Sequence, residues 1–503
     1  PAHGVVLLIL SAPPPQAHKV AAPVLRPILQ FNQSLLALTR KRLDAGDPAL
    51  VAAVARLEAH ARGHVQSGPY SVTRTLLAPP SGDPHDYMST GVYLWPCSSS
   101  NSSGRCNLTA CVHSACNCSS VQVCGKGGGA QCDNATGLPW ASCDGHENRA
   151  QIGRGAGEQL LQLRASVVAL TSACYWGGNA TFGAHAVMLL HAWFVDETTR
   201  MNPNLNFGQG WPGKLNGSGS GLVEVDENLV DLLDAVAMLQ RVQPAKEPWW
   251  TPLMDAALGA WVEEWGKWLR RSPYSTWACN FRNNHNAACR AMWVAVAAWS
   301  GGGNATLSKT LVKGARERQW TNLSSGPKYL PYQALGLTPD NCEGCTGACS
   351  GSCGKAPIAQ QIWRNGALPE EAGRVNSAGY TGAEIHNLMR LARFAASPVF
   401  GTPQAAELEL FDYVSPANSS SIRDALDATL PFALGQKPWP YPSESERFNL
   451  FAVVREAAHV WGNNASYSRW SAQLKDACPG ALCADDATVL WWPEVRESSG
   501  PGL

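Results

Sequence analysis

No stretch of the 503-residue chain approaches the roughly 20 consecutive apolar residues that a membrane-spanning helix requires. An excess of one charge is also missing. Lys plus Arg and Asp plus Glu are both 39, so the formal net charge is zero and no global basic field exists to hold nucleic acid or an anionic membrane. Charged residues make up only 16% of the chain against 45% hydrophobic, which argues against global disorder and leaves material for a large interior. Alternating apolar and polar runs are scarce, so strands are not the organising element. No self-similarity of fixed length occurs, which argues against a regular TPR or HEAT array. A polyanionic substrate is not excluded, because a cleft needs only a local cluster of cations.

Helical periodicity is what the chain does have. Apolar residues recur at three- and four-residue spacing near 28–43, 48–63, 155–174, 182–195, 225–243, 252–270, 284–299 and 305–318. The same spacing recurs near 380–396, 404–413, 420–434, 446–461 and 466–477. In 225–243, Leu229, Leu232, Leu233, Val236 and Leu239 form one stripe. Many helices of this length without a heptad seam predict an all-α fold of antiparallel helix pairs packed into a ring or solenoid. Tryptophan is abundant, with 20 residues against 11 each of Tyr and Phe. This suits a carbohydrate binder, because sugar rings stack on indole faces, and it equally suits an aromatic core.

The 17 cysteines and the glycosylation signals bear on compartment. Eight cysteines lie between Cys97 and Cys143, four more (Cys342, Cys345, Cys349, Cys353) sit in a Gly-rich loop, and Cys478 and Cys483 flank a turn. Crowded cysteines in helix-poor loops read as disulfide staples, with zinc at Cys342-x-x-Cys345 as the alternative. The odd total leaves at least one unpaired, and Cys174, in an apolar helix, is a candidate. Acceptor sequons occur at Asn32, Asn101, Asn107, Asn117, Asn134, Asn179, Asn216, Asn304, Asn322, Asn418 and Asn464. A secreted glycoprotein, or one of the secretory-pathway lumen, is the expectation. The apolar run "VVLLIL" at 5–10 reads either as a signal-peptide remnant or as the first ordered segment. The domain expectation is one unit over 20–477 with Cys-rich insertions at 97–146 and 341–356, followed by a C-terminal tail over 478–503.

Four segments carry chemistry. "PPSGDPHDYMSTGVYLWP" (79–96) presents His85, Asp86, Tyr87 and Trp95 in a polar-aromatic loop. "TTRMNPNLNFGQ" (198–209) presents Arg200, Asn202, Asn204, Asn206 and Gln209 in a run broken by Pro203. "FRNNHNAACRAMW" (281–293) places Asn283, Asn284 and His285 at the mouth of an apolar helix, where asparagine usually caps. "LPEEAGRVNSAGY" (368–380) presents Arg374 and Tyr380.

In this combination and order the chain resembles the alginate lyase superfamily of helical-toroid polysaccharide lyases. Members carry an S-G-D-x-H-D-Y-x-S loop, an R-M-N-P-N-L-N segment, an N-N-H motif and a P-x-E-x-x-R-x-x-S-x-x-Y segment. The likeness runs from about residue 20 to about residue 475. It implies an (α/α) toroid or incomplete barrel, and β-elimination on an acidic polysaccharide such as alginate or a glucuronan. No redox or nucleotide cofactor is implied, and the chemistry needs no metal. Elimination removes a weakly acidic C5 proton beside a carboxylate, so that charge must be neutralised before a base acts and the departing O4 is protonated. The resemblance assigns Asn284 and Arg374 to the carboxylate and Tyr380 to the leaving oxygen. Tyr380 also serves as base when proton and leaving group share a face, and His285 is the better base when they do not. His85, Tyr87, Trp95, Arg200, Asn283, Asn204, Asn206 and Gln209 are expected to line the groove, with Trp211 as a further stacking candidate.

Bland alternatives stand beside each role. Arg374 could be a surface partner of Glu370 or Glu371, Tyr380 a core aromatic, His85-Asp86 a loop pair, and Asn202, Asn204 and Asn206 a turn ladder. The chain departs from the family pattern at Ala288, at Tyr93-Leu94-Trp95-Pro96 and at His386-Asn387-Leu388. Those departures bear on sugar preference more than on elimination. The rival functions are a glycosidase on a similar toroid, drawing paired carboxylates from Asp83, Asp86, Glu370 and Glu371, and a non-catalytic matrix protein that binds acidic polysaccharide.

Overall fold

Helix starts are written into the sequence as capping pairs. Asp47, Thr251 and Ser272 each accept a first-turn amide, and each is followed by a proline whose missing N–H costs a helix nothing there. Asn32 and Asn179 cap in the same way without the proline. The computed structural model describes residues 25–96, 140–142, 145, 147–211, 217–279, 283–300, 361–362, 365–374, 376–398, 409–415, 419–441, 443, 447–462, 465–476 and 486–493. Within them the elements run α1 (Gln33–Asp44), α2 (Pro48–Arg62), β1 (Met88–Thr90), β2 (Leu94–Pro96), β3 (Trp140–Ser142), α3 (Arg149–Ile152) and α4 (Ala156–Gly177). There follow α5 (Ala180–Phe194), β4 (Phe207–Gly210), α6 (Gly221–Val242), α7 (Pro252–Arg271), α8 (Pro273–Ala278) and α9 (Asn284–Trp299). The series closes with α10 (Pro369–Ala372), α11 (Ser377–Ala395), α12 (Ile422–Ala433), α13 (Phe451–Val460), α14 (Ala465–Asp476) and α15 (Asp486–Trp491).

The fold is an all-α toroid. Helices α2, α4, α6, α9 and α11 lie side by side in succession, with α5 and α7 packed behind them and α12 and α13 continuing past α11. The inner helices are therefore apolar on more than one face. Every residue of α9 except His285 and Trp293 is buried, a pattern expected of a helix enclosed on all sides. Each large side chain so enclosed, such as Met292 or Trp299, contributes about 1.5–3 kcal/mol.

Charge is buried inside this ring as well. Asp226 on α6 meets Arg390 on α11 at 2.7 Å, Arg164 on α4 meets Asp231 at 2.6 Å, and Arg393 pairs with Glu456 on α13. Gly382 on α11 is required by a close backbone approach: an added Cβ would collide with the Phe448 carbonyl oxygen.

Several expectations change. The helix expected over 404–413 is absent from its described part, 409–413. There the Glu409 side chain accepts the Asp412 amide while Leu410 and Tyr413 turn into the core. The helix expected from 446 starts at Phe451: Asn449 is left-handed, with φ 51°, and the Phe448 carbonyl oxygen packs against Gly382 of α11. Within the C-terminal tail, α15 packs on α1 and α2, with Trp491 stacked on Phe31 at 4.0 Å. The helix near 305–318, the insertion 341–356 and all but the root of the insertion 97–146 lie outside the described residues. Cys174 is free and buried.

Candidate active site

The first two motif segments form a scaffold together. Strand β1 pairs in parallel with β4, Met88 opposite Phe207 and Thr90 opposite Gly210. Asp86 knits the loops: it accepts from Ser81 Oγ at 2.7 Å, Asn202 Nδ2 at 2.9 Å and Asn204 Nδ2 at 3.0 Å. His85 Nδ1 lies 2.7 Å from the Arg200 carbonyl oxygen, which only accepts, so the proton is on Nδ1. Beneath them Glu224 on α6 takes the Tyr87 hydroxyl at 2.5 Å and Ser89 Oγ at 2.9 Å, and bonds the Gln209 side chain. Burial raises the Glu224 carboxyl, and burial beside that carboxylate pushes the Tyr87 phenol well up.

This corrects part of the groove expectation. Tyr87 is fully buried and gives its hydroxyl to Glu224, so it supports the loop from below and is closed to a sugar. Asn204 and Gln209 likewise have their side chains committed to Asp86 and Glu224. The turn-ladder alternative holds for Asn202 and Asn204. Asn206 stays exposed, its Oδ1 accepting from Trp268 Nε1 at 2.9 Å. Arg200 is exposed too, and its guanidinium makes no ion pair among the described residues. His85, Trp95 and Trp211 are half-buried.

The other two motifs meet at the mouth of α9. Asn283 is the N-cap, its Oδ1 accepting from the His285 amide at 3.2 Å, while its buried Nδ2 has no hydrogen-bond partner among the described residues. The Asn284 amide donates to Glu371 Oε1 at 2.7 Å. Arg374 closes the circuit: one guanidinium nitrogen lies 3.2 Å from Glu371 Oε2 and 3.4 Å from Asn284 Oδ1. Its Cζ sits 3.0 Å over the Tyr380 ring. The Tyr380 hydroxyl donates to the hydroxyl of Tyr93, which joins this half of the site to the 79–96 loop. His285 stands edge-on to Trp277 at 5.6 Å, and Trp277 packs against Gly219 just before α6. A disulfide, Cys279–Cys289, ties the end of α8 to α9 across the NNH motif, and Asn286 Nδ2 donates to the Cys279 carbonyl.

Asn283, Asn284, His285, Arg374 and Tyr380 are thus gathered at one end of the ring. The expected surface pairing of Arg374 with a neighbouring glutamate exists, but buried: Glu371 is 1% exposed and Arg374 5%. Residues that sequence reasoning gave no functional role are Tyr93, Glu371 as anchor of Asn284, Trp277, the Cys279–Cys289 tether and Glu384. The position of Tyr93 inside the first motif was a signal for it.

Glu384, one turn beyond Tyr380 on α11, is buried with neither carboxyl oxygen hydrogen-bonded among the described residues. Burial, and then the charge of Glu371, hold its carboxyl well above the usual carboxylate range. An acid raised in this way binds a proton in the fold that the unfolded chain has released. Its contribution to stability is therefore complete below the unfolded carboxylate range and is lost as pH rises through the folded value. Glu384→Gln keeps the shape and removes that loss. Its melting temperature relative to wild type should rise as pH goes from 5 to 8, by about 1–3 °C at the upper end. A difference that stays flat with pH would mean that the carboxyl is not held neutral.

This combination defines the class first. A helical toroid whose ring end gathers an Asn-His pair, an arginine and a tyrosine is the frame of a polysaccharide lyase. Residues 71–323 match the family described as alginate lyase, half of the chain, and the protein belongs to that family. The crystal structure of an alginate lyase from Bacteroides ovatus is similar in fold, with TM-score 0.66, 22% identity, and coverage of 92% of this chain and 99% of that one. No curated protein matches the chain in sequence.

Proposed function

We propose that this lyase is secreted and cleaves a 4-linked uronic-acid polymer, alginate or a glucuronan-like chain, by β-elimination. The observation that carries the reading is the meeting of Asn284, Arg374 and Tyr380 at the mouth of α9. Arg374 and the Asn284 side-chain carboxamide offset the charge of the uronate carboxylate, so that removing the C5 proton no longer builds a second unscreened negative charge. Tyr380 takes that proton as phenolate, and as phenol protonates O4 when the C4–O4 bond breaks. His285 is the base where the proton lies on the opposite face. Two of the four carboxylates that a hydrolytic pair would draw on are already engaged: Asp86 accepts three hydrogen bonds, and Glu371 holds Arg374 and the Asn284 backbone amide.

The test is absorbance near 235 nm, which reports the C4=C5 double bond, on polymannuronate, polyguluronate and glucuronan. A rise on one of them, lowered at least about 10³-fold in Tyr380→Phe, is expected. New reducing ends without absorbance would move the reading to hydrolysis. Supporting secretion, the sequon residues Asn32 and Asn179 are exposed helix caps whose Oδ1 accepts a backbone amide. That bond leaves the Nδ2 which a glycan would take. Protein from a eukaryotic secretory host should lose mass on enzymatic deglycosylation, and unchanged mass would count against this compartment. We read 20–477 as one domain because a single core cluster extends from Leu29 to Tyr467.

A further inference from the structure

Tyrosine is an awkward base. Its ordinary phenol titrates near 10, so at neutral pH only about one molecule in a thousand would carry the phenolate that elimination needs. Something must favour the ionised form. Arg374 does part of this, its cation lying over the Tyr380 ring, but Arg374 is already shared with Glu371 and is assigned to the substrate carboxylate. The phenolic oxygen itself has a different neighbour, the hydroxyl of Tyr93.

We propose that Tyr93 is a positioning residue for the elimination, donating its hydroxyl proton in a hydrogen bond to the Tyr380 phenolate and so keeping the base form populated. This rests on the reading of Tyr380 as the base. A hydroxyl is both donor and acceptor, so the bond survives ionisation by reversing direction. With Tyr380 neutral, its proton points at Tyr93. Once Tyr380 has lost it, Tyr93 rotates its own proton into the same contact. Hydrogen bonding to the charged form favours that form, and more strongly where water is partly excluded. The proton balance is closed: C5–H gives its proton to Tyr380, the electron pair becomes the C4=C5 double bond, and C4–O4 breaks. O4 leaves with the proton that Tyr380 returns. Tyr93 ends each cycle as it began.

Tyr93 is held for this role. It lies between the Gly91 amide, bonded to Gly210 at 3.0 Å, and β2, whose Leu94 pairs with Ser142 of β3. The other ionisable groups around Tyr380 come from known elements. Glu371 lies in α10 and Arg374 two residues beyond its end, His285 and Arg290 sit on α9, and Glu384 is one turn along α11. On α12 and α13 the charged groups have other partners: Asp424 accepts from Ser421, Asp427 from Tyr467, and Glu456 pairs with Arg393.

Tyr93→Phe retains the ring and removes only the hydroxyl. On whichever uronate the wild type degrades, kcat at neutral pH should fall about 10-fold or more with KM within about twofold. The rising limb of the kcat–pH profile should move to higher pH by about one unit, so that the deficit shrinks under alkaline conditions. Ultraviolet titration of tyrosinate, without substrate, reads the same quantity independently of turnover. The early-ionising tyrosine, identified as the one missing from Tyr380→Phe, should ionise later in Tyr93→Phe. An unshifted limb together with an unshifted titration overturns the proposal even if the rate drops. If instead Tyr380→Phe keeps its turnover, the assignment of the base has failed, and the Tyr93 proposal falls with it.

Discussion

Asn284→Ala should slow elimination by about 10²–10³-fold while leaving the melting temperature within about 2 °C of wild type. The size follows from where the charge develops. A preorganised donor aimed at that position is worth far more than one recruited from water, because it needs no reorganisation during the reaction. Arg374 makes Asn284 such a donor by bonding its Oδ1 at 3.4 Å. That fixes which end of the amide is oxygen, and so turns the N–H₂ end toward other partners. Stability should change little, because the backbone amide that Glu371 accepts is kept in alanine and the N-cap is Asn283. Asn284→Asp is the sharper control. Of nearly the same volume, it presents a second carboxylate to the substrate's own, and its activity should be no better than alanine's. Initial rates at 235 nm and a thermal melt decide it. A variant as fast as wild type would remove Asn284 from the carboxylate site, whereas equal losses of rate and stability would reduce it to a helix-start residue.

What the sequence made legible was what depends on local period and chain order. The stripe Leu229, Leu232, Leu233, Val236 and Leu239 read as one face of a helix, and all five are buried in α6. Asn283 read as a cap because asparagine has that use at a helix mouth, and it is one. Depth was not legible. Asp226 on α6 carries no sequence mark of burial, yet it turns into the ring to meet Arg390, 164 positions away. A periodicity shows that two faces differ, not which one a closed ring encloses. The same ambiguity put Arg374 and Glu371 at the surface as a rival reading, and made Tyr87 look available in a polar loop that is folded over Glu224. Long-range pairs of hydroxyls, such as Tyr93 with Tyr380, and the Cys279–Cys289 tether leave no periodic trace at all.

Glu371→Ala should be the most damaging single change in the site, costing about 3–5 kcal/mol of stability. Glu371 is the counter-charge of Arg374 at 3.2 Å, and both are buried. Removing the carboxylate takes the Glu371 counter-charge from Arg374 and the acceptor from the Asn284 backbone amide. Glu371→Gln keeps an acceptor for that amide and loses only the charge, so stability should fall in the order wild type, Gln, Ala. The neighbouring Glu384 gives a second reading. Part of what raises its carboxyl is the Glu371 charge, so the pH-dependent gain of Glu384→Gln should be smaller on a Glu371→Gln background. A double-mutant cycle measures that coupling. Substrate supplies the final discrimination. If Arg374 meets the uronate carboxylate, a saturating uronate oligosaccharide replaces the missing anion. It should then raise the melting temperature of Glu371→Ala by more than it raises that of wild type. Equal shifts in the two proteins would mean that Arg374 does not contact the substrate's charge. Its place over Tyr380 would then serve the base alone.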